Sequence, residues 1–408
     1  MVYYIKTKGW QILAVLLIGI SLFLVANQYN SIASRFQAEI QEKTDEAVPV
    51  VFLCPQTGYY SFVGEDAVWA AKYAVSQINL QGGINGTPVR LIFKDTRSDQ
   101  SLAASYFLGA SREVPAVIGP IDAPASAGIA PLLEDTGTTS IASYSYEDIR
   151  TEYRPYTIAF MNDSEIGEFA AVRLWKEKNP DIKDVVIFTD SEDDAKSDAV
   201  SLFQKELPGI GLNILDVVDI SGTRSMRRYE QCAIQALNKK ADGYISLLSA
   251  EDYANVLLQL RKRGVSDGRF ITASFSAVSE NLLDAAENSL DGTYIWDKFD
   301  VNYPGYDWQK LVKAYQASHN GNMPLNNTVP EIYDAVMALC QCYEELGLTG
   351  TETDPVSKAK VCGWFNNSPV IHGIQGDFRW ENGEKEADYH FFVFQGREMK
   401  ALQNVPAE

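Results

Sequence analysis

The sequence predicts an α/β protein of two doubly wound βα lobes, preceded by an N-terminal transmembrane helix. Three observations predict it. Residues 50–99 read as a strand, a glycine-aromatic loop, a helix, a glycine turn and a second strand, which is one βαβ unit. Strand-like and helix-like stretches then alternate along the chain, the signature of parallel sheets covered by helices. At 408 residues the chain also exceeds the roughly 250 to 300 at which a single core stops growing, so two lobes are a simpler account than one sheet.

Val50-Val51-Phe52-Leu53-Cys54 is an apolar run of strand length, stopped by Pro55 and followed by the loop Gln56-Thr57-Gly58-Tyr59-Tyr60-Ser61. Ala67, Ala70, Ala71, Ala74, Val75 and Ile78 recur at helical spacing as a narrow stripe of small residues suited to lying against a sheet. Gly82-Gly83 end that helix where left-handed backbone is needed, Asn85-Gly86 supply a turn, and Val89-Arg90-Leu91-Ile92-Phe93 form the next strand. Parallel strands joined this way cross over right-handed and are covered on both faces. Further helices are expected at 102–112, 125–134, 165–178, 194–207, 229–238 and 250–263. Strands are expected at 116–119, 139–142, 185–189, 214–218, 243–248, 269–273 and 292–295, with a C-terminal pair at 389–394 and 399–402.

An ordered set of residues gives the chain a resemblance to a known family. The set is Pro55-x-Thr57-Gly58, Gly64, Ala74-x-x-x-Ile78-Asn79, Gly82-Gly83-Ile84-Asn85-Gly86, Asp95-x-x-Ser98-Asp99 and Val117-Ile118-Gly119-Pro120. With them the chain resembles the type I periplasmic solute-binding proteins of the leucine/isoleucine/valine class, the substrate-binding components of branched-chain amino acid ABC transporters. Val185-Val186-Ile187-Phe188-Thr189-Asp190 looks like the family's first strand of the second lobe, and Gly373-Ile374-Gln375-Gly376-Asp377-Phe378 like its closing segment. The match runs from about residue 48 to the end. It implies residues 48–160 with 298–373 as the first lobe and 161–297 with 374–408 as the second, joined by a hinge of three crossings near 158–162, 296–299 and 371–376.

Residues 12–26 are almost unbroken apolar, preceded by Lys6 and Lys8 and followed by a polar segment to Glu46. This is an export signal or a membrane anchor. The span 9–26 approaches the roughly 17 to 25 residues that cross hydrocarbon. Cleavage after Ala26 would leave Leu24 where a small residue belongs, and no cysteine follows for lipidation, so an uncleaved anchor over 1–30 and a stalk over 31–47 are expected. The lysines then stay in the cytoplasm and the rest is extracytoplasmic; after cleavage it would be secreted or periplasmic. The formal net charge of −19 argues against nucleic acid, which needs a basic face. Five cysteines, Cys54, Cys232, Cys340, Cys342 and Cys362, leave room for a disulfide with at least one thiol free, and connectivity is not legible. No cofactor is expected, and with no Cys-x-x-Cys and three scattered histidines, no zinc site.

Ligands of open α/β sheets bind at the carboxyl ends of strands. The loops Thr57-Gly58-Tyr59-Tyr60, Pro120-Ile121-Asp122-Ala123 and Ser143-Tyr144-Ser145-Tyr146 are therefore the candidates, each followed by a helix N-terminus that favours an anionic group. Tyr59 and Tyr60 serve equally well as a cage for an apolar or cationic group or as ordinary rim residues. The resemblance implies that Ser145 holds the ligand's charged backbone groups beside Ser143 and Tyr144. It also aligns Asp193 with a family tyrosine, and Ser274, beside Phe275, with the acidic partner of a ligand ammonium. Asp122 stands where the family carries hydroxyls, and a carboxylate there repels an amino-acid carboxylate. Acidic residues on both sides of the cleft suit a cationic or polyhydroxylated solute. The run Asp190-Ser191-Glu192-Asp193-Asp194 fails as a calcium loop because Ala195 occupies its glycine position.

No nucleophile motif, zinc-helix motif or phosphate loop is present, so an enzyme is not expected. The resemblance implies a receptor that binds a small polar solute, such as an amino acid or amide, by hinge closure and delivers it to the permease subunits of an ABC importer. A membrane-tethered sensor signalling to a membrane partner is the alternative.

Overall fold

In the computed structural model of the chain, the described residues are 47–143, 147–159, 165–272, 283, 286, 289–324, 326–385 and 389–405. Residues Pro49–Glu408 form one compact unit; of the other unit, Met1–Val48, only residues 47 and 48 are described. The expected anchor, and the stalk up to residue 46, lie outside the described residues. Among the described residues no helix is long and apolar enough to cross a membrane.

The first sheet begins with β1 (Val48–Cys54), α1 (Ser61–Leu80), β2 (Val89–Asp95), α2 (Gln100–Ala110), β3 (Ala116–Ile118), α3 (Ala123–Thr136), β4 (Thr139–Ala142), α4 (Glu147–Glu152) and β5 (Thr157–Ala159). The second follows with α5 (Glu165–Lys178), β6 (Asp184–Thr189), α6 (Asp194–Glu206), β7 (Asn213–Asp219), α7 (Met226–Asn238), β8 (Gly243–Ser246), α8 (Ala250–Arg261), β9 (Phe270–Thr272) and β10 (Tyr294–Asp297). The chain returns through α9 (Tyr306–Ser318), α10 (Thr328–Leu346) and α11 (Pro355–Asn366). It ends in β11 (Ile371–Gly373), β12 (Gly376–Phe378), β13 (Trp380–Glu381), β14 (Glu384–Lys385), β15 (Tyr389–Gln395) and β16 (Glu398–Val405).

Two seven-stranded sheets result, ordered β2-β1-β3-β4-β5-β14-β13 and β7-β6-β8-β9-β10-β15-β16. The order is the same twice over. In each sheet it reverses beside the first strand, between β1 and β3 and between β6 and β8, which makes those strand ends the switch points where crevices open. All seven residues of β1 are buried, as a parallel strand covered on both faces must be. Separate cores form under each sheet, around Val51, Phe107 and Ile129 in one and Trp175, Ile187 and Phe203 in the other.

The motif residues behind the resemblance prove to be joints of the first βαβ unit. The alanine stripe of α1 is buried, and at Gly64 a Cβ would lie 2.1 Å from the carbonyl oxygen of Pro55, so only glycine lets α1 lie this close to the chain leaving β1. Asn79 accepts from the N–H of Val89 (2.7 Å) and donates to its carbonyl (2.9 Å), clamping the end of α1 to the start of β2 across the glycine turn. Asp99 caps α2 by accepting from the N–H of Leu102 (2.7 Å).

Three differences from expectation stand out. Helices α9 to α11 lie in a stretch for which the sequence reading assigns no element. Trp380–Glu381 and Glu384–Lys385 still belong to the first sheet, β14 running parallel to β5, so the chain leaves that sheet after Lys385 and not near 371–376, where β11 and β12 form a hairpin of their own. All five cysteines are free and buried, so the room left for a disulfide is not used. Burial pushes every one of these thiols up, that of Cys340 to about 12.

The late departure has a physical reason. Nζ of Lys385 donates to Asp334 (2.9 Å) and Glu331 (3.2 Å) on α10 and lies 4.1 Å from the ring centre of Phe378, while the Trp380 indole donates to the carbonyl of Ala159 (3.0 Å). Asp334 also accepts from the N–H of Ile374 (2.7 Å). These contacts bind β13 and β14 to the first sheet through side chains. Beside them, Gln375 and Asp300 exchange two hydrogen bonds, at 3.0 and 2.8 Å, linking the β11–β12 turn to the segment that follows β10.

Candidate functional site

The carboxyl ends of the strands carry the expected loops, and a carboxylate fixes the first loop of each sheet. Thr57 donates from its N–H (3.1 Å) and hydroxyl (2.7 Å) to Asp95 at the end of β2. In the second sheet Ser191 makes the same pair of bonds, at 3.0 and 2.6 Å, to Asp219 at the end of β7, and Ser221 adds two more at 3.0 and 2.6 Å. Burial alone would raise both carboxyls, but these hydrogen bonds outweigh it and hold both below the usual carboxylate range. The loops are thus pinned by their hydroxyls, leaving their tips to face outward.

Beyond the pins the two loops differ in chemistry. In the first, the N–H of Tyr60 donates to Ser98 Oγ (2.9 Å), and the ring of Tyr59 sits edge-on to that of Tyr60 with centroids 4.9 Å apart. In the second, Asp193 precedes α6 and pairs with Lys196 at 3.2 Å, so its carboxylate is already matched by a cation on its own helix. Arg224 lies between Asp190 (2.5 Å) and Asp252 (3.2 Å) and donates to the carbonyls of Ile220 (3.1 Å) and Gly222 (3.0 Å). Burial would lower its pKa, but Asp252 and Asp190 more than compensate and raise it. Asp252 also accepts from the Tyr229 hydroxyl at 2.5 Å.

Asp122 and Ser249 occupy corresponding places, the residue before α3 and the residue before α8. Asp122 is buried and caps its helix by accepting from the N–H of Ala125 (3.0 Å), while its second oxygen is enclosed without a hydrogen-bond partner. Burial pushes its carboxyl up to about 6. Ser249 makes no cap. Its hydroxyl lies 3.4 Å from Asp252 and 3.2 Å from the hydroxyl of Tyr59, so a loop of the first sheet touches a loop of the second.

Ile121 and Ser143 are buried, with the Ser143 N–H donating to the carbonyl of Pro120 (3.0 Å), which ties the ends of β3 and β4 together. Thr57, Tyr59, Tyr60, Ile121, Asp122, Ser143 and Asp193 therefore all sit in strand-end loops or at helix starts. Tyr144, Ser145, Ser274 and Phe275 lie outside the described residues. Sequence reasoning missed Arg224, Asp252 and Ser249. An arginine, Arg224, in the loop that follows the acidic strand ends Asp190 and Asp219 is the signal that points to them. Among the described residues no group of histidine, cysteine and carboxylates is arranged to hold a metal ion.

Residues 47–398 match the model of a protein family described as periplasmic binding protein. The chain belongs to the periplasmic binding protein family. Members of this family bind ligands and are not enzymes, so this binding protein is an extracytoplasmic solute receptor with a small-molecule partner. Solved structures share its fold. A leucine-binding protein from Thermotoga maritima superposes with a TM-score of 0.75 at 20% identity, over 88% of this chain and 99% of that one. A branched-chain amino acid transporter substrate-binding protein from Streptococcus pneumoniae, in complex with isoleucine, gives 0.74 at 16%, over 88% and 100%. An ABC transporter solute-binding protein from R. palustris, in complex with benzoate, gives 0.76 at 15%, over 89% and 97%. No curated protein is a significant sequence match.

Proposed function

We propose that this binding protein is the receptor of an ABC importer, taking a small polar solute such as an amino acid or amide between its lobes by hinge closure and presenting it to permease subunits. The observation that carries the reading is the meeting of the two sets of strand-end loops, at Tyr59 and Ser249, in a chain of this family. Hinge closure buries a solute at such a meeting place and stabilises it from both sides. The relatives solved with isoleucine and with benzoate support a small molecule and leave its class open. Thr57, Ile121, Asp122, Ser143 and Asp193 would shape the loops, Tyr59 and Tyr60 would line the mouth, and Tyr144, Ser145, Ser274 and Phe275 are the further contacts the family resemblance implies. The two lobes would comprise residues 48–160 with 298–385 and residues 161–297 with 389–408. The apolar run at 12–26 would tether the receptor to the outer face of the membrane.

A thermal-shift screen against amino acids, amides, polyamines, sugars and urea-like solutes tests the reading, because a ligand of the native state raises the melting temperature. One class is expected to shift it by several degrees, with the shift lost in Ser145→Ala. No shift at millimolar concentration from any class would overturn the solute-receptor role and turn attention to sensing. Mass spectrometry of the membrane fraction tests the tether: an intact N-terminus is expected, and a chain beginning after Ala26 would overturn it.

A further inference from the structure

We propose that Tyr59 is the latch of the cleft, its hydroxyl docking on Ser249 to hold the two lobes' strand-end loops together, with the Arg224 network as the fixed seat. The proposal rests on the two-lobed receptor reading and adds to it the residue that sets how firmly the lobes stay closed. Its support is the difference between the two ends of the contact. Tyr59 belongs to a loop secured on both sides, by Thr57 on Asp95 and by Tyr60 on Ser98. Gly58 between them has φ +92°, and a Cβ there would lie 2.2 Å from the carbonyl oxygen of Arg97, so the loop is seated directly on the chain leaving β2. Yet the Tyr59 side chain projects from this rigid base, 58% exposed, and its hydroxyl meets a residue 190 positions away on the other sheet.

The receiving end is built differently. Ser249 is 9% exposed and stands over Asp252, whose carboxylate is held by Tyr229 and Arg224. Arg224 is in turn fixed by Asp190 and two carbonyls. A serine before a helix ordinarily turns its hydroxyl onto the helix's own N–H groups. This one does not; its hydroxyl donates to Asp252 and leaves its oxygen to accept from Tyr59. An exposed side chain on a loop held from both sides, meeting an enclosed hydroxyl, is the arrangement a reversible closure needs. One neutral hydrogen bond shifts a two-state equilibrium by about two- to tenfold, enough to bias closure without locking it.

The test is amide hydrogen exchange on the full chain carrying Tyr59→Phe, Ser249→Ala or both, with Tyr306→Phe as an exposed control on α9. Tyr59→Phe keeps the ring and its contact with Tyr60 and removes only the hydroxyl. Each single variant is expected to speed exchange about two- to tenfold at amides that touch neither residue, Ser143 in the first lobe and Asp193 in the second. The double variant is expected to be no faster than Ser249→Ala alone, because once the serine hydroxyl is gone Tyr59→Phe removes no further bond. Unchanged exchange, or changes confined to the mutated loop, would overturn the latch. The outcome is separable from that of the solute screen: latch variants that loosen both lobes while no solute binds leave the latch standing and remove the receptor, and a solute bound with no change in exchange does the reverse.

Discussion

The two halves of the molecule use the same strand order and the same device at their first loops, yet they diverge beyond those pins. Asp95 and Asp219 pin Thr57 and Ser191 through equivalent bonds. Past the pin, one half presents tyrosines and the other presents Glu192, Asp193 and Arg224. Asp122 turns inward to cap α3, whereas Ser249 at the corresponding place leaves α8 uncapped and meets Tyr59. The shared residues are architecture. The function is to be sought where the halves differ.

They also differ in how each sheet is finished. The second sheet ends in β15 and β16, long strands paired along an antiparallel ladder whose register shifts once, between Phe391 and Phe392. The first ends in β14 and β13, two residues each, which backbone bonds alone cannot secure. The Lys385–Glu331–Asp334 cluster and Trp380 supply what the ladder lacks. Lys385→Met is therefore expected to have the largest effect of the substitutions considered, a loss of about 3–5 kcal/mol in urea unfolding, because it leaves two buried carboxylates without their cation. A loss under about 1 kcal/mol would show that the short strands hold without it.

The pins come next. Asp219 receives four hydrogen bonds from Ser191 and Ser221, and Asp95 receives two from Thr57 and one from the N–H of Arg97 (3.1 Å). Asp219→Ala should cost about 2–3 kcal/mol and Asp95→Ala about 1–2 kcal/mol, read from thermal midpoints. The reverse order would break the equivalence of the two devices.

The last effect is one of pH. The Asp122 carboxyl is raised to about 6 from an ordinary 3.8, so the folded chain binds its proton more tightly than the unfolded chain does. Its contribution to stability is fully present below about pH 4 and is lost as pH rises through about 6, with a slope of at most about 1.4 kcal/mol per pH unit. Asp219 and Asp95, held low, contribute in the opposite sense, above the ordinary carboxylate range, and lose it in acid. Asp122→Asn keeps the cap and should remove only the first of these trends between pH 4 and 6 in a melting series. An unchanged profile would mean that the enclosed oxygen titrates normally.

The βαβ unit was legible because the spacing of Ala67, Ala70, Ala71 and Ala74 and the glycine turn are local signals. α10 was not, because residues on all its sides are buried, Glu331 and Asp334 among them, and a helix covered all round carries no polar face to set its period. α9 could have been read from Trp308, Leu311, Val312 and Tyr315, which share one buried face. Two-residue strands such as β13 and β14 leave no periodic trace. At the site, composition placed hydroxyls and carboxylates in the strand-end loops. It gave no sign of what each would bond, since Thr57 and Asp95 are 38 residues apart and Tyr59 and Ser249 are 190.

The cysteines have a practical consequence. All five are enclosed, and burial keeps each as the unreactive thiol in place of the nucleophilic thiolate. A maleimide dye offered to the native protein should therefore find nothing to alkylate until a new cysteine is placed on the surface, for example at exposed Ile234. The wild-type chain is, in effect, a silent background for single-site fluorescent labelling, and a reporter of lobe motion can be attached without first removing any native sulfur.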